Sequence, residues 1–195
     1  EERIAVATSD SPLGPFKQSE AEKKPFHQNI GEIDTHLFID DDGKRYLYFV
    51  RFTNGNEIWA AELNDDMRSI KENTLVHCIG VSQNWEKIQA KVAEGPFVLK
   101  HNNIYYLTYS ANHYESPKYA VGYATSDSPL GPWTKYDKNP ILIGNENIQG
   151  VGHHSFITKS SGCRYVVYHS HYNVGIVQPR KVGIDTYEFV SSTDS

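Results

Sequence analysis

The sequence is short of the features that mark membrane, nucleic-acid-binding or disulfide-rich proteins. It has 2 cysteines, Cys78 and Cys163, so a disulfide framework is excluded and two free or buried thiols are the simpler expectation. No apolar stretch reaches the ~18–20 residues of a membrane span, so no membrane partner is expected. Acidic residues (24) outnumber basic ones (19), which argues against nucleic acid, because binding it requires clustered Lys and Arg.

Helical periodicity is missing as well. No window keeps an apolar 3.6-residue period for three turns, and only the segment Asn64–Asn73 could form one helical turn. Aromatic residues are abundant instead, with 13 Tyr, 8 Phe and 3 Trp, and 14 Gly and 9 Pro can supply turns. This composition is typical of an all-β protein, and 195 residues suffice for a domain with a core.

Two internal repeats indicate how the strands are organised. Residues 7–16 (ATSDSPLGPF) recur as residues 124–133 (ATSDSPLGPW), 117 positions later. A weaker repeat of 59 to 60 residues aligns Asp34, Glu94 and His153, each followed by apolar residues and, twelve positions on, by a tyrosine. Each unit is predicted to contain short strands joined by turns. The predicted strands are 37–40, 45–51 and 57–63, then 97–100, 104–110 and 119–125, then 156–159, 165–169 and 181–186.

Repeated strand-rich units of this length are typical of β-propeller blades. One such unit cannot bury both of its faces, so units stack around an axis and the first strand of each lines a central channel. Residues at one repeat position should then form a ring around the channel. Here that ring would hold Asp34, Glu94 and His153, and three different ionisable groups at one position indicate a functional site.

Two carboxyl groups that face each other are suited to acid–base catalysis, because repulsion and burial raise the pKa of one of them. Glu94 is the candidate proton donor, since its sequence neighbours are uncharged, whereas Asp34 is expected to stay ionised. Alternatively, each could cap a turn or bind backbone amides. His153 follows Gly152, which allows close approach of the backbone, but a single imidazole does not make a zinc site.

Four further residues are candidates for contacts with a substrate. Trp85 and the pair His113 and Tyr114 could line a sugar subsite, because aromatic rings stack on the apolar faces of sugars. Packing between blades is the commoner role for any single aromatic residue. Arg180 could enter the channel and pair with Asp34, although the sequence is equally compatible with a surface position.

Three segments, taken in order and spacing, resemble glycoside hydrolase family 43, the arabinofuranosidase and β-xylosidase family with a five-bladed β-propeller. They are residues 33–44 (IDTHLFIDDDGK), 94–97 (EGPF) and 150–155 (GVGHHS). The resemblance runs from about residue 3 to about residue 190.

The resemblance implies a role for each matching residue. Glu94 corresponds to the general acid, and Asp34 to the carboxylate that orients this acid and tunes its pKa. His153 corresponds to the central-channel histidine that many members associate with calcium, so calcium is a possible structural ion that the sequence does not require. Arg180 would correspond to an arginine near the substrate.

The resemblance also implies that residues 1–195 form one partial catalytic domain. Its parts would be the end of the second blade (1–30), the third blade (31–90), the fourth blade (91–150) and the fifth blade (151–195). The family's general base, an Asp of the first blade, would then precede Glu1. We therefore expect the 195-residue chain alone to be inactive and to self-associate through its open blade edge.

The implied activity is the inverting hydrolysis of α-L-arabinofuranosyl or β-D-xylosyl linkages, as in arabinofuranosidases, β-xylosidases and arabinanases that degrade xylan and other plant polysaccharides. The alternative is a non-catalytic carbohydrate-binding propeller, which would have no need of a proton donor such as Glu94. A fructan hydrolase is disfavoured because its Arg-Asp-Pro motif is missing. The expected partner is an oligosaccharide or polysaccharide, and a secreted or periplasmic location is slightly favoured over the cytoplasm.

Overall fold

The computed structural model describes residues 2–190 and folds them into three antiparallel sheets. The first sheet contains β1 (Glu32–Ile39), β2 (Arg45–Phe52), β3 (Asn56–Glu62) and β4 (Val76–Ile79). The second contains β5 (Ala93–His101), β6 (Ile104–Ala111), β7 (Ala120–Ser126) and β8 (Thr134–Lys135). The third contains β9 (Gly152–Thr158), β10 (Arg164–Ser170) and β11 (Lys181–Thr186). The helices of the described part are two 3₁₀ turns, Glu72–Thr74 and Asn84–Glu86, and no helix there is long and apolar enough to cross a membrane.

Strand β2 shows why an aromatic sequence forms a sheet that is buried on both faces. Successive side chains of a strand point to opposite faces. Tyr46, Tyr48 and Val50 accordingly join a hydrophobic cluster between the first and second sheets, whereas Leu47 and Phe49 join a cluster on the opposite face. The first sheet is therefore packed on both sides, as a blade with two neighbours would be.

The opposite face of the first sheet is covered by the segment that precedes β1. Ile4 and Phe26 of this segment pack on the cluster around Phe49. Thr8 and Lys17 form an antiparallel bridge, and Thr125 pairs with Thr134 in the same way 117 positions later.

The described sheets fall within the predicted units 31–90, 91–150 and 151–195. The numbering of these units as the third, fourth and fifth blades stays a prediction, and so does the assignment of residues 1–30. Residue 1 and residues 191–195 lie outside the described residues.

The first strands of the three sheets are neighbours: β1 packs beside β5, and β5 packs beside β9. Each of these strands contains a residue with a left-handed backbone near its start. These residues are Asp34 (φ 56°), Gly95 (φ 56°) and His153 (φ 49°). A positive φ is uncommon for residues other than glycine, and its recurrence marks one structural position in all three sheets.

The predicted ring is consequently wrong by one residue in the second sheet. Phe38 pairs with Tyr46, eight positions on, whereas Leu99 pairs with Tyr106, seven positions on. The shorter hairpin leaves the sequence repeat out of register with the strands. Gly95 is therefore the structural equivalent of Asp34 and His153, and Glu94 lies one position earlier.

Candidate active site

Asp34 joins the first strand of the first sheet to the first strand of the second sheet by a hydrogen bond. Its Oδ2 accepts a hydrogen bond of 3.1 Å from the backbone N–H of Gly95, the residue that follows Glu94. Its Oδ1 lies 3.9 Å from Nε2 of His153, whose side chain is 43% exposed, compared with 17% for Asp34. Asp34 thus lies beside His153 and holds the backbone directly after Glu94.

Glu94 lies near the start of β5, with hydrogen bonds to both of its carboxyl oxygens. Oε1 accepts a hydrogen bond of 2.7 Å from the hydroxyl of Tyr119, and Oε2 accepts a longer one of 3.3 Å from Nδ2 of Asn56. Burial raises the pKa of Glu94, the hydrogen bond from Tyr119 opposes this rise, and the negative charge of Asp34 adds to it. A partly buried carboxyl group with a raised pKa is suited to donating a proton.

A small pocket of about 140 Å³ opens beside Asp34 and His153. The residues that line it are Asp34, Thr35, His36, Gly95, Pro96, Phe97, His153, His154 and Ser155. Burial lowers the pKa of His36 to about 4 and that of His154 to about 3. These two imidazoles are therefore neutral at pH 7. His36 stacks against Phe97 with 4.1 Å between the ring centroids, and His154 Nε2 lies 2.7 Å from the hydroxyl of Thr108.

The donors around His153 do not form a protein cage for calcium. Calcium takes six to eight oxygen ligands. The carboxylate beside the His153 ring is that of Asp34, and within residues 2–190 no three His, Cys, Asp or Glu side chains converge to hold a metal ion. Calcium at His153 stays a prediction in which water molecules would supply most ligands, and no chemical step is assigned to it.

Three of the four predicted substrate-binding residues lie together. The guanidinium carbon of Arg180 lies 5.1 Å from the centroid of the Tyr114 ring, and the rings of His113 and Tyr114 stack at 4.7 Å. Burial lowers the pKa of His169 to about 4, and the charge of Arg180 contributes. His169 in turn stacks on His153 at 6.4 Å. Arg180 therefore lies over Tyr114, and the ion pairs of the described residues do not include one between Arg180 and Asp34.

Trp85 takes a different position, in the wall between the first and second sheets. Its ring packs on Tyr109 at 5.9 Å and its Nε1 donates a hydrogen bond of 2.7 Å to Gln83. It also lines a larger pocket of about 590 Å³, in which Tyr119 forms part of the lining. The structure thus places Trp85 in blade packing and at a neighbouring pocket, and contact with a sugar stays a prediction.

Sequence reasoning missed the residues that bind Glu94. Tyr119 and Asn56 donate to its carboxyl group, and Ser110 accepts a hydrogen bond of 2.8 Å from the backbone N–H of His153. These three polar residues lie in separate strands or loops and belong to no shared motif. Ser110 pairs directly opposite Glu94 in β5 and β6, and this register is a property of the fold that the sequence alone does not give.

The fold and the site together define a class of protein. A carboxyl group with a raised pKa lies beside a second carboxylate at the start of neighbouring inner strands. Glycoside hydrolases use such a pair of carboxyl residues, one of them as a general acid with a raised pKa.

Comparison with known proteins supports this class and identifies the family. The profile of Glycosyl hydrolases family 43 matches residues 1–192, and the chain belongs to this family. Solved structures of the family are five-bladed β-propellers of which the chain covers part, so the predicted all-β propeller fold is confirmed.

Individual relatives show the range of named activities. An endo-1,4-β-xylanase structure from Bacteroides thetaiotaomicron is 50% identical and superimposes with a TM-score of 0.91 over 99% of this chain and 66% of that chain. A β-D-galactofuranosidase from Aspergillus niger is 34% identical over 87% of this chain and 46% of its own length. An extracellular exo-α-(1→5)-L-arabinofuranosidase from Streptomyces chartreusis is 38% identical over 45% of this chain and 28% of its own length. The chain thus spans at most about half the length of these two curated relatives.

Proposed function

We propose that this chain carries the general acid of an inverting glycosidase that cleaves α-L-arabinofuranosyl or β-D-xylosyl linkages of plant polysaccharides. The observation that carries the proposal is the environment of Glu94, whose pKa is raised by burial and by the charge of Asp34. In this proposal Glu94 protonates the glycosidic oxygen as the bond breaks. Asp34 orients the acid through the N–H of Gly95 and tunes its pKa.

An inverting mechanism needs a second carboxylate that activates water on the opposite face of the sugar, roughly 6.5–9.5 Å from the acid. Asp34 is assigned to orientation because its Oδ2 is already engaged by the N–H of Gly95. The general base is expected in polypeptide other than these 195 residues.

The substrate class rests on the names of relatives and on the family. The named relatives act as a xylanase, a galactofuranosidase and an arabinofuranosidase, and one of them is extracellular. From the xylanase and the arabinofuranosidase among these relatives we infer an oligosaccharide or polysaccharide of pentose units as substrate, with Arg180 and Tyr114 as contacts at the rim. An extracellular or periplasmic location fits a polymeric substrate.

The test uses Glu94→Gln in the protein produced from the complete reading frame. A general acid contributes about 10²–10⁴-fold to catalysis, but only where the leaving group needs a proton. The variant should lose about that factor on xylo- and arabino-oligosaccharides and keep most of its activity on dinitrophenyl glycosides. Glu20→Gln is the matched control, because Glu20 is a carboxylate with an 89% exposed side chain in the segment before β1. Equal losses on both substrate classes would remove Glu94 from the acid role, and binding without any turnover by the wild-type protein would favour the carbohydrate-binding alternative.

A further inference from the structure

Ser110 and Tyr119 lie between the third sheet and the carboxyl group of Glu94. The backbone N–H of His153 donates to Oγ of Ser110 at 2.8 Å. The side chain of Ser110 also lies next to the phenol of Tyr119, where it opposes the rise in the pKa of Tyr119. The hydroxyl of Tyr119 then donates to Oε1 of Glu94 at 2.7 Å.

The hydrogen bond from His153 determines how the hydroxyl of Ser110 can act. A backbone N–H can only donate, so Oγ of Ser110 accepts from His153, and the single hydrogen of Ser110 is free to point at Tyr119. Burial and the neighbouring charge of Glu94 raise the pKa of Tyr119 well above its usual value, so Tyr119 keeps its proton. Its own hydrogen is therefore directed at Oε1 of Glu94.

The ring of Tyr119 packs directly against Gly152, where no larger side chain would fit. A Cβ atom at Gly152 would lie 2.4 Å from Cε1 of Tyr119, far inside van der Waals contact. The ring of His169 stacks on Tyr119 at 5.4 Å with an interplanar angle of 8°. Pairing shows that Gly152 faces His169 in the third sheet as Glu94 faces Ser110 in the second. Gly152 thus occupies in one sheet the position that Glu94 occupies in the next.

We propose that Tyr119 is a second positioning residue of the general acid beside Asp34, and that the close approach of Gly152 fixes its ring in place with Ser110 next to its hydroxyl. Because Oε1 of Glu94 accepts the hydrogen of Tyr119, the transferable proton resides on Oε2, the oxygen with the longer 3.3 Å contact to Asn56. The tyrosine thereby orients the carboxyl group and decides which of its oxygens reacts. This inference rests on the proposed role of Glu94 as the acid.

The first experiment measures the titration of Glu94 without reference to turnover. In the full-length protein labelled with ¹³C at glutamate carboxyl groups, the Glu94 signal is assigned by its loss in Glu94→Gln. Tyr119→Phe removes the donor that favours the ionised form, so the pKa of Glu94 should rise by about 0.5–1 unit. Ser110→Ala should shift it in the same direction by less. Tyr123→Phe is the matched control, because the ring of Tyr123, four positions on, stacks on Tyr136 instead.

The second experiment measures kinetics on the same variants. The basic limb of the kcat/KM profile should move up in pH with the Glu94 pKa in Tyr119→Phe. Its kcat on oligosaccharides should fall about tenfold with little change in KM or in activity on dinitrophenyl glycosides. Gly152→Ala, which displaces the ring but keeps the hydroxyl, should reproduce both effects.

The outcomes separate the two proposals. An unchanged or lowered Glu94 pKa in Tyr119→Phe overturns the positioning role, whatever Glu94→Gln does. A raised pKa in Tyr119→Phe together with a Glu94→Gln variant that is fully active on oligosaccharides supports the hydrogen bond from Tyr119 to Glu94 and rejects the proposed function.

Discussion

The backbone N–H of Gly95 donates a hydrogen bond of 3.1 Å to Oδ2 of Asp34, across the interface between the first and second sheets. The contact fixes the backbone directly after Glu94 and brings a negative charge close to the acid. Both the orientation and the raised pKa of Glu94 therefore depend on how two sheets pack. A substitution that separates charge from hydrogen bonding can distinguish these two effects.

Asp34→Asn supplies that distinction. The asparagine keeps an oxygen that can accept from Gly95 but removes the charge that raises the pKa of Glu94. We expect the basic limb of kcat/KM in the full-length protein to move to lower pH by about 1 unit, because a like charge disfavours ionisation. The exposed Asp65→Asn should leave the limb unchanged. A limb that moves upward in Asp34→Asn would contradict the tuning role.

Buried histidines should make the fold sensitive to acid. Folding depresses the pKa of His154 from 6.5 to about 3. In the unfolded chain this histidine takes up a proton near pH 6.5, whereas in the folded chain it stays neutral. The free energy of unfolding therefore keeps its full value above pH 6.5 and falls as the pH drops toward 3. His154→Gln should therefore weaken the loss of stability between pH 7 and pH 5, measured by urea unfolding. His77→Gln, with a 43% exposed side chain, is the control, and an identical slope in both variants would refute the assignment.

The interface of the first two sheets depends on a buried ion pair. Nζ of Lys135 lies 2.6 Å from Oε1 of Glu86, which is fully buried and also accepts from Tyr109. Removal of one partner leaves an unpaired buried charge, so Lys135→Met should lower the free energy of unfolding by about 3–5 kcal/mol. Lys87→Met, at an exposed neighbouring position, should change it little. A loss below about 1 kcal/mol for Lys135→Met would show that water reaches Glu86.

The third sheet presents an apolar face that should make the 195-residue chain self-associate. Val182 is 75% exposed, Ile184 is 61% exposed and Ile157 is 51% exposed. Val182 and Ile184 are two positions apart in β11, so they lie on one face of the sheet. Ile157 pairs with Tyr165, and the register of β10 with β11 places this pair on the same face. Contiguous exposed apolar surface of this kind favours association. Light scattering should show oligomers of the wild-type chain. The double variant Val182→Lys/Ile184→Lys should be monomeric, whereas Val190→Lys should remain oligomeric. A monomeric wild-type chain would contradict the prediction.

The strands that the sequence predicts best are β2, β6 and β11, in which apolar or aromatic residues recur along the strand. The prediction for β11 was 181–186, as observed, and those for β2 and β6 each ended one residue early. The first strand of each sheet was predicted to begin at Leu37, Phe97 and Phe156, yet these strands begin at Glu32, Ala93 and Gly152. Most of their opening residues are polar, glycine or proline, so alternation of hydrophobicity does not mark them as strands. Those polar openings are where the candidate catalytic residues lie.

The family, the all-β class and the identity of Asp34, Glu94 and His153 as a group were available from the sequence, because composition, repeats and motifs are properties of short segments. The register was not, since a hairpin shorter by one residue moves Glu94 off the ring that the repeat predicted. The hydrogen bonds around the acid were not available from the sequence either, because they join residues that are far apart in the chain. Tyr119 is 25 positions from Glu94, Ser110 is 43 from His153, and Gly95 is 61 from Asp34. Only the packing of one sheet on the next brings such residues within hydrogen-bond distance, and burial in that packing is what raises the pKa of Glu94.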